Sequence, residues 1–258
     1  MNDLSWTDFD ARAAFGSHSD SDHVYNTPRA WIMAKTLSPA KVEEMKLTPV
    51  SDNIPWSFVP EHKITVEDVK YVLSLVYQGT KYNPYAANGD VSEAGRFRTI
   101  GINRNNFVAV TQLRPYAPKE IMAVEWIAEG SNHFNTMIPF YANVTTTPRY
   151  LSDTTTEVTT DNFYWANRLI AVIADSHYGD CLNHIERYQN TTMALGHEHL
   201  NKVDRAYKEE KPANVTTWLE AKNMEISDRI KKETSDTLSK VLYTASCKMK
   251  NAFNRSDA

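Results

Sequence analysis

Phe107-Val-Ala-Val-Thr-Gln-Leu113 and Ile121-Met-Ala-Val-Glu-Trp-Ile127 are the stretches whose reading decides the fold class. Each is short, rich in β-branched or aromatic residues and apolar at nearly every position, which is the pattern of a strand covered on both faces. Runs of the same kind lie on either side, separated by turn-forming residues. Residues 97–102, 106–113, 121–128 and 136–142 therefore read as an antiparallel meander.

The required cover lies downstream. Residues 162–178 place Trp165, Leu169, Val172 and Ile173 on one stripe and stop at Gly179, a residue suited to a helix C-terminus. A longer helix is expected over 181–210, before Pro212, and a third over 214–253, whose apolar stripe is backed by charge. Upstream, Thr65-Val-Glu-Asp68 is a capping signature for a helix running through Val76 towards Gly79. Residues 1–60, punctuated by Pro28, Pro39, Pro49, Pro55 and Pro60, read as irregular apart from a short helix over Arg29–Leu37. The expected organisation is thus 1–60 irregular with one short helix, 61–145 helix and antiparallel strands, and 160–255 helical. The fold class is α+β.

Composition bounds the function. The chain has 258 residues, 41% hydrophobic and 23% charged, enough for a sizeable core. Its 28 basic and 32 acidic residues leave a net charge of −4, so neither nucleic acid nor an anionic membrane surface is an expected partner. No run of about 18 apolar residues occurs, and residues 1–20 show no signal-peptide pattern, so a cytoplasmic location is expected. Only Cys181 and Cys247 are present. That excludes a four-sulfur metal site and makes a disulfide framework unexpected.

Several motifs dissolve on inspection. Gly196-His-Glu-His-Leu200 lacks the i,i+4 histidine pair of a zinc helix, since position 201 is Asn. His197 and His199 point about 200° apart on a helix and cannot share a metal; both are expected to face solvent. His18 and His23 read as loop residues. Cys181 opens a helix, where the dipole could lower a thiol's pKa, but a buried or bystander thiol is the favoured reading. Eight glycines, with no phosphate loop and no Gly-x-Ser-x-Gly elbow, weigh against a dinucleotide fold or a serine-hydrolase elbow. No cofactor is expected.

Other stretches are more specific. Phe15-Gly-Ser17, His23-Val-Tyr-Asn-Thr-Pro-Arg-Ala-Trp31, Arg98-Thr-Ile-Gly-Ile-Asn-Arg104, Glu120-Ile-Met-Ala-Val-Glu-Trp126 and the run from Phe134 to Pro148 occur in order, followed by Asp161-Asn-Phe-Tyr-Trp-Ala-Asn-Arg-Leu169 and Ile185-Glu-Arg-Tyr188. With Phe107 to Arg114 these resemble the dipeptidases of peptidase family C69, over nearly the whole chain. The resemblance implies an N-terminal-nucleophile hydrolase, an αββα sandwich that cleaves dipeptides with a cysteine thiol and no metal. In that chemistry the thiol of the first mature residue attacks the scissile carbonyl and its own α-amino group is the base.

The match corresponds to the later half of such an enzyme. Met1 is followed by Asn2 rather than a nucleophile, so the expectation is a partial sandwich that misses the opening strands and the cysteine and is inactive alone. Open alternatives are the non-catalytic half of a split dipeptidase, completed by a separate opening half, and a binding module using the helical tail. Expected partners are a dipeptide substrate once the enzyme is completed, the missing half, or a second copy. One accessory site residue carries over. Arg29 precedes a helix much as an arginine does in the related choloylglycine hydrolases, and could hold a thiolate or a substrate carboxylate; its alternative is pairing with a structural carboxylate. Asn26 is a weaker candidate. Exposed strand edges and apolar surface are expected where the opening half would pack.

Overall fold

The computed structural model describes residues 14–17 and 19–250, which form two compact units. His18, and the part of the last expected helix beyond residue 250, lie outside them. The first unit holds the described residues up to 63 together with 77–99; the second holds 64–76 and the chain from 100 onward.

The first unit is more helical than expected. Helices α1 (Asp22–Tyr25), α2 (Thr27–Leu37) and α3 (Pro39–Glu44) follow one another closely. Pro28 opens α2 as expected, whereas Pro39, read as a break, opens α3; both stand in first turns, where a missing N–H leaves no helical bond unmade. The core of this unit is aromatic. Trp31 meets Tyr82 edge-on with ring centroids 6.1 Å apart and donates its indole N–H to the Leu47 carbonyl at 3.1 Å. Tyr82 packs on Phe97 at 4.7 Å.

In the second unit α4 (Val66–Val72) begins at a full capping box: Asp68 N–H donates to Thr65 Oγ1 at 3.1 Å and Thr65 N–H to Asp68 Oδ2 at 2.8 Å. It stops short of Val76. Residues 97–102 do not form the expected strand either. The Ile100 and Gly101 amides both converge on the Leu75 carbonyl, at 3.1 and 2.8 Å, instead of forming a ladder. A Cβ on Gly101 would collide with the Ser74 carbonyl, so the close backbone approach there is open only to glycine.

Three of the expected strands exist: β1 (Phe107–Leu113), β2 (Ala123–Glu129) and β3 (Ile138–Tyr141), antiparallel in the order β1-β2-β3. Three helices follow: α5 (Phe163–Ser176), α6 (Tyr178–Glu210) and α7 (Val215–Ser246). Asn162 and Asn214 cap α5 and α7 by accepting from Trp165 N–H and Thr217 N–H. Lys211 in the left-handed region and Pro212 end α6. The architecture is mixed α+β, and no helix of the described residues is long and apolar enough to cross a membrane.

One sheet face carries Val108, Val124, Trp126 and Tyr141, packed with Met193, Leu200 and Val203 of α6 and Leu219 of α7. The helix comes close because Gly196 faces the sheet; a Cβ there would lie 2.9 Å from Pro139 and 3.0 Å from the Trp126 ring. On the other face Ile138 and Phe140 meet Phe163, Ile226 and Ile230. That second cover does not extend across to β1, where Phe107 is 67% and Leu113 64% exposed, with Ala109 and Thr111 exposed between them. The expectation that β1 is covered on both faces is thus overturned. Its apolar run serves one buried face and one open face.

Candidate functional site

Arg29, the residue singled out from sequence, stands in the first turn of α2, just after the Asn26 cap. Its Nε donates to the Tyr25 carbonyl and its Nη2 to Asn26 Oδ1 at 2.8 Å. Asn26 in turn donates to Asp22 Oδ1 at 2.5 Å. The carboxamide therefore links the guanidinium to the acid of α1, and Arg29 itself makes no ion pair among the described residues. A cation at a helix N-terminus gains nothing from the helix dipole, so the turn's own acceptors hold it.

Neighbours that the sequence reading did not pick complete this spot within the first unit. The Arg98 guanidinium lies 5.5 Å from the Tyr25 ring centroid, and the Arg98 N–H donates to the Val24 carbonyl at 3.1 Å. Tyr77 Oη donates to the Arg98 carbonyl at 3.0 Å. Burial raises the Tyr77 phenol well above its ordinary range, while the Arg29 charge pulls it the other way. A guanidinium from the first turn of α2 and another from the irregular stretch around Arg98, each near a tyrosine, suit an anionic group such as a carboxylate. Arg98 lies 69 positions beyond Arg29, and no local pattern links the two.

The thiols fall elsewhere. Cys181 is fully buried in the first turns of α6, and burial, with the Asp180 charge adding to it, raises the thiol's pKa. Cys247, exposed at the end of α7, is the other.

The second unit contains a buried polar pin that no motif announced. Lys70 on α4 donates to Ser74 Oγ at 2.8 Å and to the Asn132 carbonyl at 2.5 Å, and burial draws its amine down to about 7. Ser74 Oγ also donates to the Asn132 carbonyl, at 2.9 Å. His133 Nδ1 lies 3.0 Å from the Ser74 carbonyl, which can only accept, so the proton is on Nδ1 and Nε2 accepts from Tyr178 Oη at 3.0 Å. Burial holds this imidazole neutral, drawn down to about 4. Gln189 of α6 donates to the His133 and Asn135 carbonyls, both at 3.0 Å. With both Lys70 and Ser74 buried, the cluster pins the β2–β3 connection to α4 and α6 and presents no reacting group.

The histidines expected at the surface divide. His197 Nε2 lies 2.5 Å from Glu67 Oε1 at a half-exposed position. His199 is buried, its Nε2 unpartnered, and desolvation pulls it down to about 4; a two-residue step along α6 turns it from the Glu67 side into the packed interior, which corrects the solvent-facing reading. Among the described residues no three His, Cys, Asp or Glu side chains converge to hold a metal. A cleft of about 490 Å³ opens beside Tyr116, Pro118, Asn201, Arg205 and Lys208. The Asp204 carboxylate on its wall is already engaged by Arg114, at 2.7 and 3.2 Å, and by Tyr141 Oη at 2.7 Å.

Comparison with known proteins places these observations. The model of peptidase family C69 matches residues 1–191. A dipeptidase of Bifidobacterium longum is 45% identical over 97% of the chain, and a probable dipeptidase A of Streptococcus pyogenes 47% identical over 96%. Dipeptidase A of Lactobacillus helveticus is 32% identical over 91%. The chain covers 55%, 51% and 48% of these three proteins, and so spans about half the length of the curated relatives it matches.

Proposed function

We propose, starting from the fact that this chain belongs to peptidase family C69, that it is the scaffold half of a dipeptide hydrolase of the N-terminal-nucleophile class. Its sheet and helices form one part of an αββα sandwich. The half of the family's length that it does not span supplies the attacking cysteine, either in the same polypeptide or in a separate one. Alone, this chain hydrolyses no dipeptide.

The observation that carries the reading is the 45–47% identity to dipeptidases along 96–97% of the chain. The thiols agree with it. Cys181 is buried with a raised pKa, the reverse of what an attacking thiolate needs. In the completed enzyme the Arg29 guanidinium, steadied by Asn26, binds the substrate carboxylate or the thiolate, and Arg98 adds positive charge nearby. Two unpaired thiols suit a reducing, cytoplasmic setting.

The test is hydrolysis of a dipeptide panel by the purified chain alone, and by the chain co-expressed with the complementary half of the Streptococcus pyogenes relative. Turnover by the pair, abolished by thiol alkylation, is the expected result. Thiol-dependent turnover by the chain alone would refute it. Within the active pair, Arg29→Ala should raise KM for dipeptides, with Arg29→Lys recovering part of the loss.

A further inference from the structure

The two edges of the sheet are treated in opposite ways. At β3 the Ala142 N–H donates to the Ala123 carbonyl at 3.1 Å, so the backbone of Tyr141 points away from β2. Its N–H donates to Asn223 Oδ1 at 2.9 Å, and Asn223 Nδ2 donates to its carbonyl at 3.1 Å. The carboxamide of α7 thus takes the place of a neighbouring strand. Pro139, the other outward residue of that strand, has no N–H to offer. That edge is closed.

At β1 nothing comparable exists among the described residues. Gly130 N–H donates to the Asn106 carbonyl at 2.7 Å and Arg114 N–H to the Met122 carbonyl at 3.0 Å. With unbroken register from Phe107↔Glu129 to Leu113↔Ala123, the even-numbered residues bond to β2. The N–H and C=O groups of Phe107, Ala109, Thr111 and Leu113 therefore point outward. The same four residues carry the exposed side chains of the strand, among them Phe107 and Leu113. An unbulged edge of seven residues with an apolar face beside it is a template for strand addition.

We propose that β1 is the docking edge for a strand from the half of the family's length that this chain does not span. That strand pairs with the outward amides and carbonyls of Phe107, Ala109, Thr111 and Leu113, and an apolar layer arriving with it covers Phe107 and Leu113. The choice of occupant rests on the reading above and on one observation: relatives that match nearly all of this chain carry about as much sequence again outside the match. A second copy of this chain is the competing occupant.

The experiment is residue-resolved amide hydrogen exchange on the chain alone, at several concentrations, and on the complex with the co-expressed half. In the chain alone, the Ala109, Thr111 and Leu113 amides should exchange at least tenfold faster than those of Val108, Val110 and Gln112. In the complex the two sets should become equally protected. Thr111→Pro, which removes an outward N–H and leaves the ladder to β2 intact, should weaken the complex at least tenfold while the Val110 and Gln112 amides stay protected. Leu113→Lys, which keeps the backbone donor, should weaken it through the apolar face alone and guards against a folding defect in the proline variant. An active complex in which the outward amides still exchange freely would overturn this inference and leave the proposed function standing. Protection that grows with concentration of the chain alone would assign the edge to a second copy and overturn it. A soluble co-expressed half that never associates would overturn both.

Discussion

Replacing Lys70 by methionine removes an ammonium group while keeping an unbranched stem of similar volume between α4 and Asn132. Burial brings the wild-type amine from 10.5 down to about 7. Between those values the unfolded chain binds a proton that the folded chain does not, so stability rises with pH across the window. The slope is about 1.4 kcal/mol per pH unit, which makes the gain from about pH 7 to about pH 9 roughly 2.7 kcal/mol from this one group. Below the folded value the full penalty persists; above the unfolded value it vanishes. Methionine forfeits the bonds to Ser74 Oγ and the Asn132 carbonyl and leaves that carbonyl to share the one Ser74 hydroxyl proton with the residue-70 carbonyl, a cost that does not vary with pH. Lys70→Met should therefore lose the pH-dependent gain. Urea unfolding followed by tryptophan fluorescence, at intervals of one pH unit over this range, reads the difference between the two chains directly. Contributions from groups that do not sense the Lys70 charge cancel in that difference, and His133, which that charge helps to lower, titrates below this range. Parallel stability curves for wild type and variant would refute the reasoning.

Three further outcomes are expected. Gly196→Ala should destabilise by about 1 kcal/mol, because overpacking of about 1–3 kcal/mol against Pro139 and Trp126 exceeds the helix propensity gain of about 1 kcal/mol; Gly179→Ala, with open space around it, should not, and thermal melts of both compare the two. His199, held neutral and drawn down from 6.5 to about 4, makes the unfolded chain the stronger proton binder between those values, so stability falls as pH drops through that window; His199→Leu should flatten the fall by about 1.4 kcal/mol per pH unit in an acid titration of the urea midpoint. Asn223→Leu strips partners from both backbone groups of buried Tyr141 and should cost roughly 2–4 kcal/mol, a loss that equilibrium urea unfolding measures.

The features legible in the sequence are those settled within a few residues. The Thr65–Asp68 box, the Pro212 stop and the short β-branched and aromatic runs of β1 to β3 each depend on local geometry and stand where the pattern placed them. The failures share a cause as well. Whether Pro39 breaks or opens a helix depends on Ser38 adopting a non-helical conformation, φ −147° and ψ 57°, just before it. Whether residues 97–102 extend a sheet depends on Gly101 finding Ser74 and on the Leu75 carbonyl receiving two amides. The burial of His199 is a matter of helix phase, set by Gly196 seating α6 on Trp126. At the candidate site Arg29 was legible only through the family resemblance of its stretch, whereas Arg98 and Tyr77 joined it only through tertiary folding.

The apolar run of β1 shows how a correct reading of residues led to a wrong reading of burial, and what that error signifies. Apolar residues at consecutive strand positions imply that both faces gain from leaving water. In β2 and β3 they do: Trp126 faces α6, while Phe140 meets α5 and α7. In β1 one face is buried through Val108, yet Phe107 and Leu113 remain largely in solvent. The chain has closed its other edge with Asn223 and Pro139, so it possesses the means of protecting an edge and has not applied them here. No charged residue lies within β1 and no proline interrupts it, although these are the usual devices against unwanted pairing. A strand patterned for two covered faces, left with one, is physically consistent when the second cover comes from sequence outside this chain. The relatives are about twice as long as this chain, and the amides of Ala109, Thr111 and Leu113 are where the arrival of the proposed strand is to be read.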